Sequence, residues 1–299
     1  IDATGKAFEA MLDLDYFKGA LLGFFIVVAY IFSGGFVAVA WSDLFQGLMM
    51  FFGLMALPIV GWWALDGGAT ELMNGLHKID PALTNIWGGN PDPWINITTM
   101  IGFSMIGLGF LGSPQVYVRF ISIKNIEEIN KGRWVAIGFT LLTDAAAVTI
   151  GLLGRYFFTE TGQNPESILG TGGEEVLVVM ADYFMPLFIF AIYIAIVLSA
   201  IMSTIDSLLV VASSAITRDF YQQILHPDIP DHKLDRISRI VTLVMALAAL
   251  GIALSVAVLT PDRTVFWFII FGWSGIAATF CPVIILTLFW KGYTEKGAI

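Results

Sequence analysis

Residues 198–221 read Leu-Ser-Ala-Ile-Met-Ser-Thr-Ile-Asp-Ser-Leu-Leu-Val-Val-Ala-Ser-Ser-Ala-Ile-Thr-Arg-Asp-Phe-Tyr, an apolar stretch in which polar groups recur at spacings near three and four. In a helix this spacing places most of them on one face. A hard cation binds oxygen ligands, which hydroxyl, carboxylate and carbonyl groups on one face supply. An isolated Ser more often bonds its own backbone or packs helices closely. The carboxylate within the stripe favours an ion site. The stripe consists of Ser199, Ser203, Asp206, Ser207, Ser213, Ser214 and Thr217.

The composition predicts that lipid is the solvent of this chain. Hydrophobic residues make up 57% of the 299 residues and charged residues only 13%, with a mean hydropathy of +0.81. A soluble domain carries about 25% charged residues. The net charge of −9 argues against a nucleic-acid partner.

Seven runs of about 20 apolar residues predict an all-α integral membrane domain, because a helix of that length crosses about 30 Å of hydrocarbon. The predicted helices are 19–40, 44–65, 97–123, 134–157, 186–216, 237–259 and 265–290. The segment 66–96 is predicted to be an external loop and 217–236 a cytoplasmic loop. Neither end has the marks of a natural terminus, so we expect the whole of 1–299 to be a fragment of one membrane domain.

The basic residues predict the orientation. Ten of the 15 lysines and arginines lie in the third-to-fourth connection, the fifth-to-sixth connection and the C-terminal tail. Alternating helices put these three stretches on one side, and the positive-inside rule makes that side cytoplasmic. We therefore predict an external N-terminus and a cytoplasmic C-terminus.

Three carboxylates fall within or beside the runs, where a charge costs about 2.5–3.5 kcal/mol on insertion scales. Asp43 opens the second run, Asp144 lies in the middle of the fourth and Asp206 lies in the fifth. No Lys or Arg is central in any run, so a bound cation, a proton or a basic group outside the chain is expected to neutralise them. Asp43 has the alternative role of capping a helix N-terminus. Asp144 is a possible proton or polar site.

Glycines followed by proline predict broken helices. The third run contains Gly107, Gly109 and Gly112 before Pro114, and the seventh contains Phe-Gly-Trp-Ser-Gly at 271–275 and then Pro282. Such a break is tolerated in a membrane where it is buried or faces a cavity, and it frees backbone groups for a ligand. Close helix packing is the alternative role of these glycines. The sequence has no catalytic motif, and we predict that the protein is not an enzyme.

The stretch 198–221 closely resembles the signature of the sodium/solute symporter family. The stretch Tyr-Ile-Phe-Ser-Gly-Gly-Phe-Val-Ala-Val-Ala-Trp-Ser-Asp-Leu-Phe-Gln at 30–46 and Gly-Ser-Pro-Gln-Val-Tyr-Val-Arg-Phe at 112–120 look like the family's proline-transporter branch. The resemblance implies a five-plus-five inverted-repeat, LeuT-like fold with alternating access. The first two runs would end the first repeat, and the other five would form the second repeat.

The resemblance also implies site residues. A main sodium site matches the Ala200 carbonyl and the hydroxyls of Ser203 and Thr204. A second, more internal sodium site matches Asp43, Ser203, Asp206 and Ser207. The family's first core helix, which carries further ligands, is expected to lie outside this chain.

The solute is expected to be an amino acid such as proline or another small carboxylate. Proline transporters carry a Trp and a Tyr where this chain has Ile106 and Phe110, so proline itself is one candidate among several. Phe110, Ser113, Trp273 and Ser274 are the predicted solute neighbours. The leading hypothesis is sodium-coupled symport across the inner (plasma) membrane. The alternatives are the membrane sensor domain of a signalling kinase and a proton-coupled transporter.

Overall fold

The computed structural model describes residues 1–87 and 89–298, with side chains described except at positions 30, 32–38 and 298. All the assigned elements in these residues are helical. The α-helices are α1 Asp2–Leu12, α2 Tyr16–Trp63, α3 Gly68–Ile79, α4 Pro93–Ile106, α5 Pro114–Ile121, α6 Ile126–Phe158, α7 Glu166–Leu169, α8 Val176–Phe184, α9 Leu187–Ser214, α10 Asp231–Leu259, α11 Val265–Phe289 and α12 Glu295–Ala298. Short 3₁₀ helices cover Pro81–Thr84, Gly107–Gly112 and Thr171–Gly173, and a π-helix, Ala215–Leu225, continues α9.

Among these described residues, six helical segments are long and apolar enough to cross a membrane. They are Val39–Trp63, Pro93–Gly112, Ile126–Phe158, Leu187–Leu225, Asp231–Leu259 and Val265–Phe289, with a shorter apolar segment at Tyr16–Ala29. The chain is therefore a multi-pass, all-α protein, but the predicted number of seven helices is not confirmed.

The predicted boundary between the first two helices is wrong. Helix is continuous through Trp41, Ser42 and Asp43, none of which is a helix breaker, so Asp43 lies inside α2 and is not an N-cap. Part of the predicted first helix falls on residues 30 and 32–38, whose side chains lie outside the described set.

Packing nevertheless distinguishes two arms of α2, residues 16–31 and residues 43–63. Residues Phe24, Val27 and Ile31 share a buried cluster with Leu209, near the C-terminal end of α9. Leu57 instead shares a cluster with Tyr193, near the start of α9. Asp43 bonds Ser207 at 3.1 Å, between these two levels. Between Asp43 and Leu57, α2 therefore runs antiparallel to α9, which brings Asp43 to the oxygen-rich face of that helix.

The predicted interruption of the third helix is confirmed. α4 ends at Ile106, the backbone tightens into the 3₁₀ helix Gly107–Gly112, and α5 begins at Pro114 after an extended Ser113. Proline disfavours the helical conformation at the preceding residue, which accounts for the break at Ser113. The corresponding prediction for the seventh run is wrong, because α11 continues through Gly272, Gly275 and Pro282.

The predicted external loop 66–96 is partly helical. α3 carries Glu71, which accepts a hydrogen bond of 2.7 Å from the Tyr156 hydroxyl at the end of α6. That bond, followed by one from the Gly67 amide, lowers the pKa of Glu71. The loop predicted at 217–236 is also shorter than expected, since the π-helix runs to Leu225 and α10 begins at Asp231.

The N-terminal helix α1 was not predicted. α1 contains Asp2, Lys6 and Glu9, and its polar composition resembles an external tail. Its contacts explain its order: Lys6 binds Glu174 at 3.0 Å, and Asp2 forms an ion pair with Arg263. These bonds join α1 to the segments before α8 and before α11.

Candidate ion and solute sites

The polar face of α9 lies against α2. Ser207 Oγ donates to Asp43 Oδ2 at 3.1 Å, and it also lies 2.8 Å from the carbonyl oxygen of Ser203 and 3.4 Å from Asp206 Oδ1. Asp206 and Ser207 are buried, and Asp43 retains 17% side-chain exposure. The i−4 bond to Ser203 is the backbone bond typical of a helical serine, but the contact with Asp43 joins two helices. Four oxygen-bearing groups thus converge within one turn of α9.

The Asp43 carboxylate is only half satisfied. Its Oδ1 atom is buried and has no hydrogen-bond partner among the described residues. A buried polar atom without a partner is costly, so such an atom indicates a ligand that the protein chain does not supply. An oxygen ligand of this kind fits a hard cation.

Arg119 is the functional residue that sequence reasoning missed. Its Nη2 atom pairs with Asp43 Oδ2 and donates to Ser207 Oγ at 2.7 Å. The expectation that the membrane carboxylates lack a basic partner in this chain is therefore wrong for Asp43. Arg119 lies outside the centre of any apolar run, but the helix break at Ser113 lets α5 approach α9, and its long side chain reaches α2. A search for basic residues one side-chain length from each carboxylate, instead of within each run, could have found it.

A cavity opens beside this cluster. It has a volume of about 410 Å³ and is lined by residues of α2, α5 and α9 that include Asp43, Gln115, Arg119 and Ser207. The guanidinium group of Arg119, whose side chain is 47% exposed, lies in its wall. Asp43 and Arg119 therefore border the same open space.

Ala200 and Thr204 face a different cavity. This space of about 450 Å³ lies between α1, α2, α9 and α11, and its lining is mostly apolar. Ser203 connects the two regions, because its hydroxyl donates to the Ala200 carbonyl at 2.8 Å while its own carbonyl accepts from Ser207. The structure thus separates the predicted ion ligands into two groups that share Ser203.

The predicted solute neighbours are only partly brought together. The rings of Phe110 and Trp273 meet edge to face with centroids 4.7 Å apart, and Ser113 is fully buried at the helix break. Ser274 is exposed and donates to the Phe271 carbonyl of its own helix. The pair Phe110 and Trp273, with Ser113, is the coherent part of this set.

Asp144 lies apart from both groups. It is on the exposed side of α6 and lines neither of the two cavities. Its role as a proton or polar site stays a prediction. Within 1–87 and 89–298, no group of three or more His, Cys, Asp and Glu side chains could hold a metal ion, so any ion site here must use hydroxyl and carbonyl oxygens as well.

Comparison with known proteins identifies the family. The sequence model described as the sodium:solute symporter family matches residues 1–299. The chain belongs to this family. Its members are transporters, which agrees with the absence of a catalytic motif in the sequence.

Curated relatives in the sodium:solute symporter family include proline transporters. The chain is 33% identical over 298 residues to the high-affinity proline transporter PutP of Bacillus subtilis, covering 99% of this chain and 59% of that protein. It is also 33% identical over 301 residues to sodium/proline symporter 2 of Staphylococcus saprophyticus, covering 99% of this chain and 55% of that one. The chain thus spans between half and two thirds of the length of the relatives it matches.

A solved structure supports the fold. The structure described as the substrate-bound outward-open state of a Na⁺-coupled sialic acid symporter has a TM-score of 0.71 to this chain. The sequence identity is 21%, and the match covers 97% of this chain and 59% of the other. At this identity the similarity establishes the shared helical architecture.

Proposed function

We propose that the protein is a sodium-coupled symporter that carries a small organic solute across the plasma membrane. The observation that carries this proposal is the contact between Ser207 Oγ and Asp43 Oδ2, which joins α9 to α2. The other oxygen of the same carboxylate, Oδ1, is buried and has no partner among the described residues. Family membership and the names of the proline-transporting relatives support the same conclusion. The transporter relatives also favour this function over the kinase sensor domain.

Two ion sites are part of the proposal. Ala200, Ser203 and Thr204 would hold one sodium ion at the larger cavity, and Asp43, Ser203, Asp206 and Ser207 would hold another. Sodium is the driving ion, and it supplies positive charge to groups that are costly to bury unpaired. The residues present fit such ions, since they offer carboxylate, hydroxyl and carbonyl oxygens on neighbouring turns of α9.

Arg119 has a defined part in this proposal. Its guanidinium group already contacts the two side chains, Asp43 and Ser207, that a sodium ion at the second site would use. Arg119 and sodium therefore compete for the same carboxylate group, Arg119 at Oδ2 and sodium through Oδ1, which has no partner in the described part of the chain. Departure of the ion leaves Asp43 paired with Arg119 instead of unpaired, which lowers the cost of releasing sodium.

The fold and orientation extend the proposal. We take the chain to be part of a five-plus-five inverted repeat, with the two arms of α2 as the last two helices of the first repeat. The contacts of Lys6 with Glu174 and of Asp2 with Arg263 support one common side for the N-terminal segment, the segment before α8 and the segment before α11. The positive-inside rule makes this side external.

The test is uptake by the full-length protein in proteoliposomes. Labelled proline, other amino acids and small carboxylates are offered with an inward sodium gradient or with choline in its place. We expect sodium-dependent uptake of at least one solute, and we expect Ser203→Ala and Thr204→Ala to raise the sodium concentration for half-maximal uptake by about fivefold or more, the effect of losing ~1 kcal/mol.

Ser255→Ala is the matched control. Ser255 is an exposed helical serine on α10 that donates to the Gly251 carbonyl at 2.7 Å, so it loses the same kind of bond as Ser203 away from α9. Unchanged sodium activation in both α9 variants would overturn the proposal. Uptake that follows pH at fixed sodium would instead favour the proton-coupled alternative.

A further inference from the structure

The interrupted helix is attached to α11 by side chains. Trp273 Nε1 donates to the Ile106 carbonyl at 3.4 Å, and Cys281 Sγ lies 3.3 Å from the Leu108 carbonyl oxygen. The most extensive contact of α11 is with the 3₁₀ helix Gly107–Gly112, and no residue of α11 is fully buried in this chain. α11 is therefore bound more closely to the interrupted segment than to the rest of the described protein.

The fit between the two elements depends on glycine. A Cβ atom on Gly109 would lie 2.2 Å from Trp273 Nε1, and one on Gly112 would lie 2.8 Å from Cys281 Sγ. Both glycines are buried, whereas Leu108, Phe110 and Leu111 of the same segment are exposed. The segment thus turns its bare backbone toward α11.

The contacting stretches of the two elements also have the same length along their helix axes. From Ile106 to Gly112 a 3₁₀ helix rises about 12 Å, at about 2.0 Å per residue. From Trp273 to Cys281 an α-helix rises the same ~12 Å, at about 1.5 Å per residue. The first and last contacts of the segment therefore meet residues two turns apart on one face of α11.

We propose that Trp273 and Cys281 are positioning residues that fasten the interrupted helix to α11, so that the two move as one body during transport. Hydrogen-bond geometry in a 3₁₀ helix is poorer than in an α-helix, and side-chain donors from α11 compensate for it. Because Phe110 and Ser113 belong to the fastened segment, the position of α11 sets the shape of the solute site. This inference rests on the proposed transport function.

The first test is a cross-link in the full-length protein. In a disulfide, the Cβ atom of one cysteine lies roughly 3 Å from the Sγ atom of the other, as follows from the ~2.05 Å S–S bond. The Cβ position at Gly112 meets this condition, at 2.8 Å from Cys281 Sγ, although it would also lie 2.9 Å from the Cys281 backbone nitrogen. After a small backbone shift, Gly112→Cys should form a disulfide with Cys281 upon mild oxidation. We expect the oxidised variant to keep at least half of the uptake rate of the reduced variant.

The same oxidant applied to Gly112→Cys with Cys281→Ala is the control. Loss of most uptake on cross-linking, restored by a reductant and absent in the control, would mean that the two elements separate during transport and would overturn the inference. Absence of the disulfide by mass spectrometry would overturn it as well, since the contact itself would be wrong.

The second test does not depend on substitution of glycine. Cys281→Ser keeps a hydrogen-bond donor, and Cys281→Val removes the donor at similar size. We expect Val to raise the solute KM about fivefold, the equivalent of one lost hydrogen bond, with little change in the sodium dependence, and we expect Ser to restore the KM. Equal behaviour of Ser and Val would contradict a positioning role. Wild-type protein without sodium-dependent uptake would instead refute the proposed function, while disulfide formation would still report on the contact.

Discussion

Asp43 is the residue on which the proposed ion chemistry depends, because it is the point where α2, α5 and α9 exchange polar contacts. One of its oxygens is shared by Arg119 and Ser207, and the other has no partner among the described side chains. The described residues therefore leave this carboxylate only half satisfied. The competition between a fixed guanidinium group and a mobile ion follows from that arrangement.

Substitution of Arg119 tests this competition. Arg119→Gln removes the competing charge, so we expect the sodium concentration for half-maximal uptake to fall about fivefold, as expected for ~1 kcal/mol from a half-exposed ion pair. For Arg119→Lys, the sodium concentration for half-maximal uptake should lie between those of the wild type and Arg119→Gln. Sodium titrations of uptake, and of tryptophan fluorescence without solute, measure the effect. Lys124→Gln is the control, since Lys124 is an exposed basic residue a few positions further along the chain. Weaker sodium activation in Arg119→Gln would refute competition.

Much of the α9 site could be predicted from sequence, and the reason is local. Ser203, Asp206 and Ser207 follow helical spacing, so their common helix was readable from the residues, and the resemblance supplied Asp43 as their neighbour. The pairing of Asp43 with Arg119 was not readable. It depends on how far α5 turns after the break at Ser113, which no periodicity in the sequence specifies.

At the scale of elements, glycine clusters had two outcomes. Gly107–Gly112 breaks its helix because Pro114 follows and because α11 offers donors to the loosened backbone. Gly272 and Gly275 do not break α11, since Pro282 lies about two turns beyond Gly275 and the helix continues through it. The distance from the last glycine to the following proline therefore separates the two outcomes.

The packing of α11 on the interrupted helix gives a direct prediction. Gly109→Ala would place a Cβ atom against the Trp273 indole, and overpacking of this kind costs about 1–3 kcal/mol. We expect uptake to fall at least fivefold. Gly107→Ala is the matched control, because a Cβ atom there has no neighbour within 4 Å although it lies in the same 3₁₀ helix. Equal effects of the two substitutions on uptake would show that the close approach to Trp273 does not matter.

At the scale of the whole molecule, three segments distant in sequence are tied together at one end. Lys6 binds Glu174, and Asp2 binds both Arg263 and the Tyr16 hydroxyl, the latter at 2.6 Å. The Asp2 and Arg263 side chains are only 5% and 10% exposed. The sequence could not indicate this assembly, because each partner lies in a polar segment that reads as a solvated loop.

Loss of one partner from this buried pair should be costly. Arg263→Gln leaves Asp2 as an unpaired buried charge, an effect of about 3–5 kcal/mol in proteins. We expect the full-length protein in detergent to unfold at a clearly lower temperature, measured by differential scanning fluorimetry. Lys78→Gln, an exposed substitution on the same predicted side, should change little. A melting temperature for Arg263→Gln that matches the Lys78 control would rule out a stabilising role for the pair.

Ser203 couples the two proposed ion positions. Its side chain and its main chain serve different neighbours within a single helical turn, Ala200 on one side and Ser207 on the other. An ion that binds the Ser203 hydroxyl at one position acts on the residue whose carbonyl oxygen supports Ser207 at the other. Occupancy of one position would then alter affinity at its neighbour, and the dependence of uptake on sodium concentration would be sigmoidal.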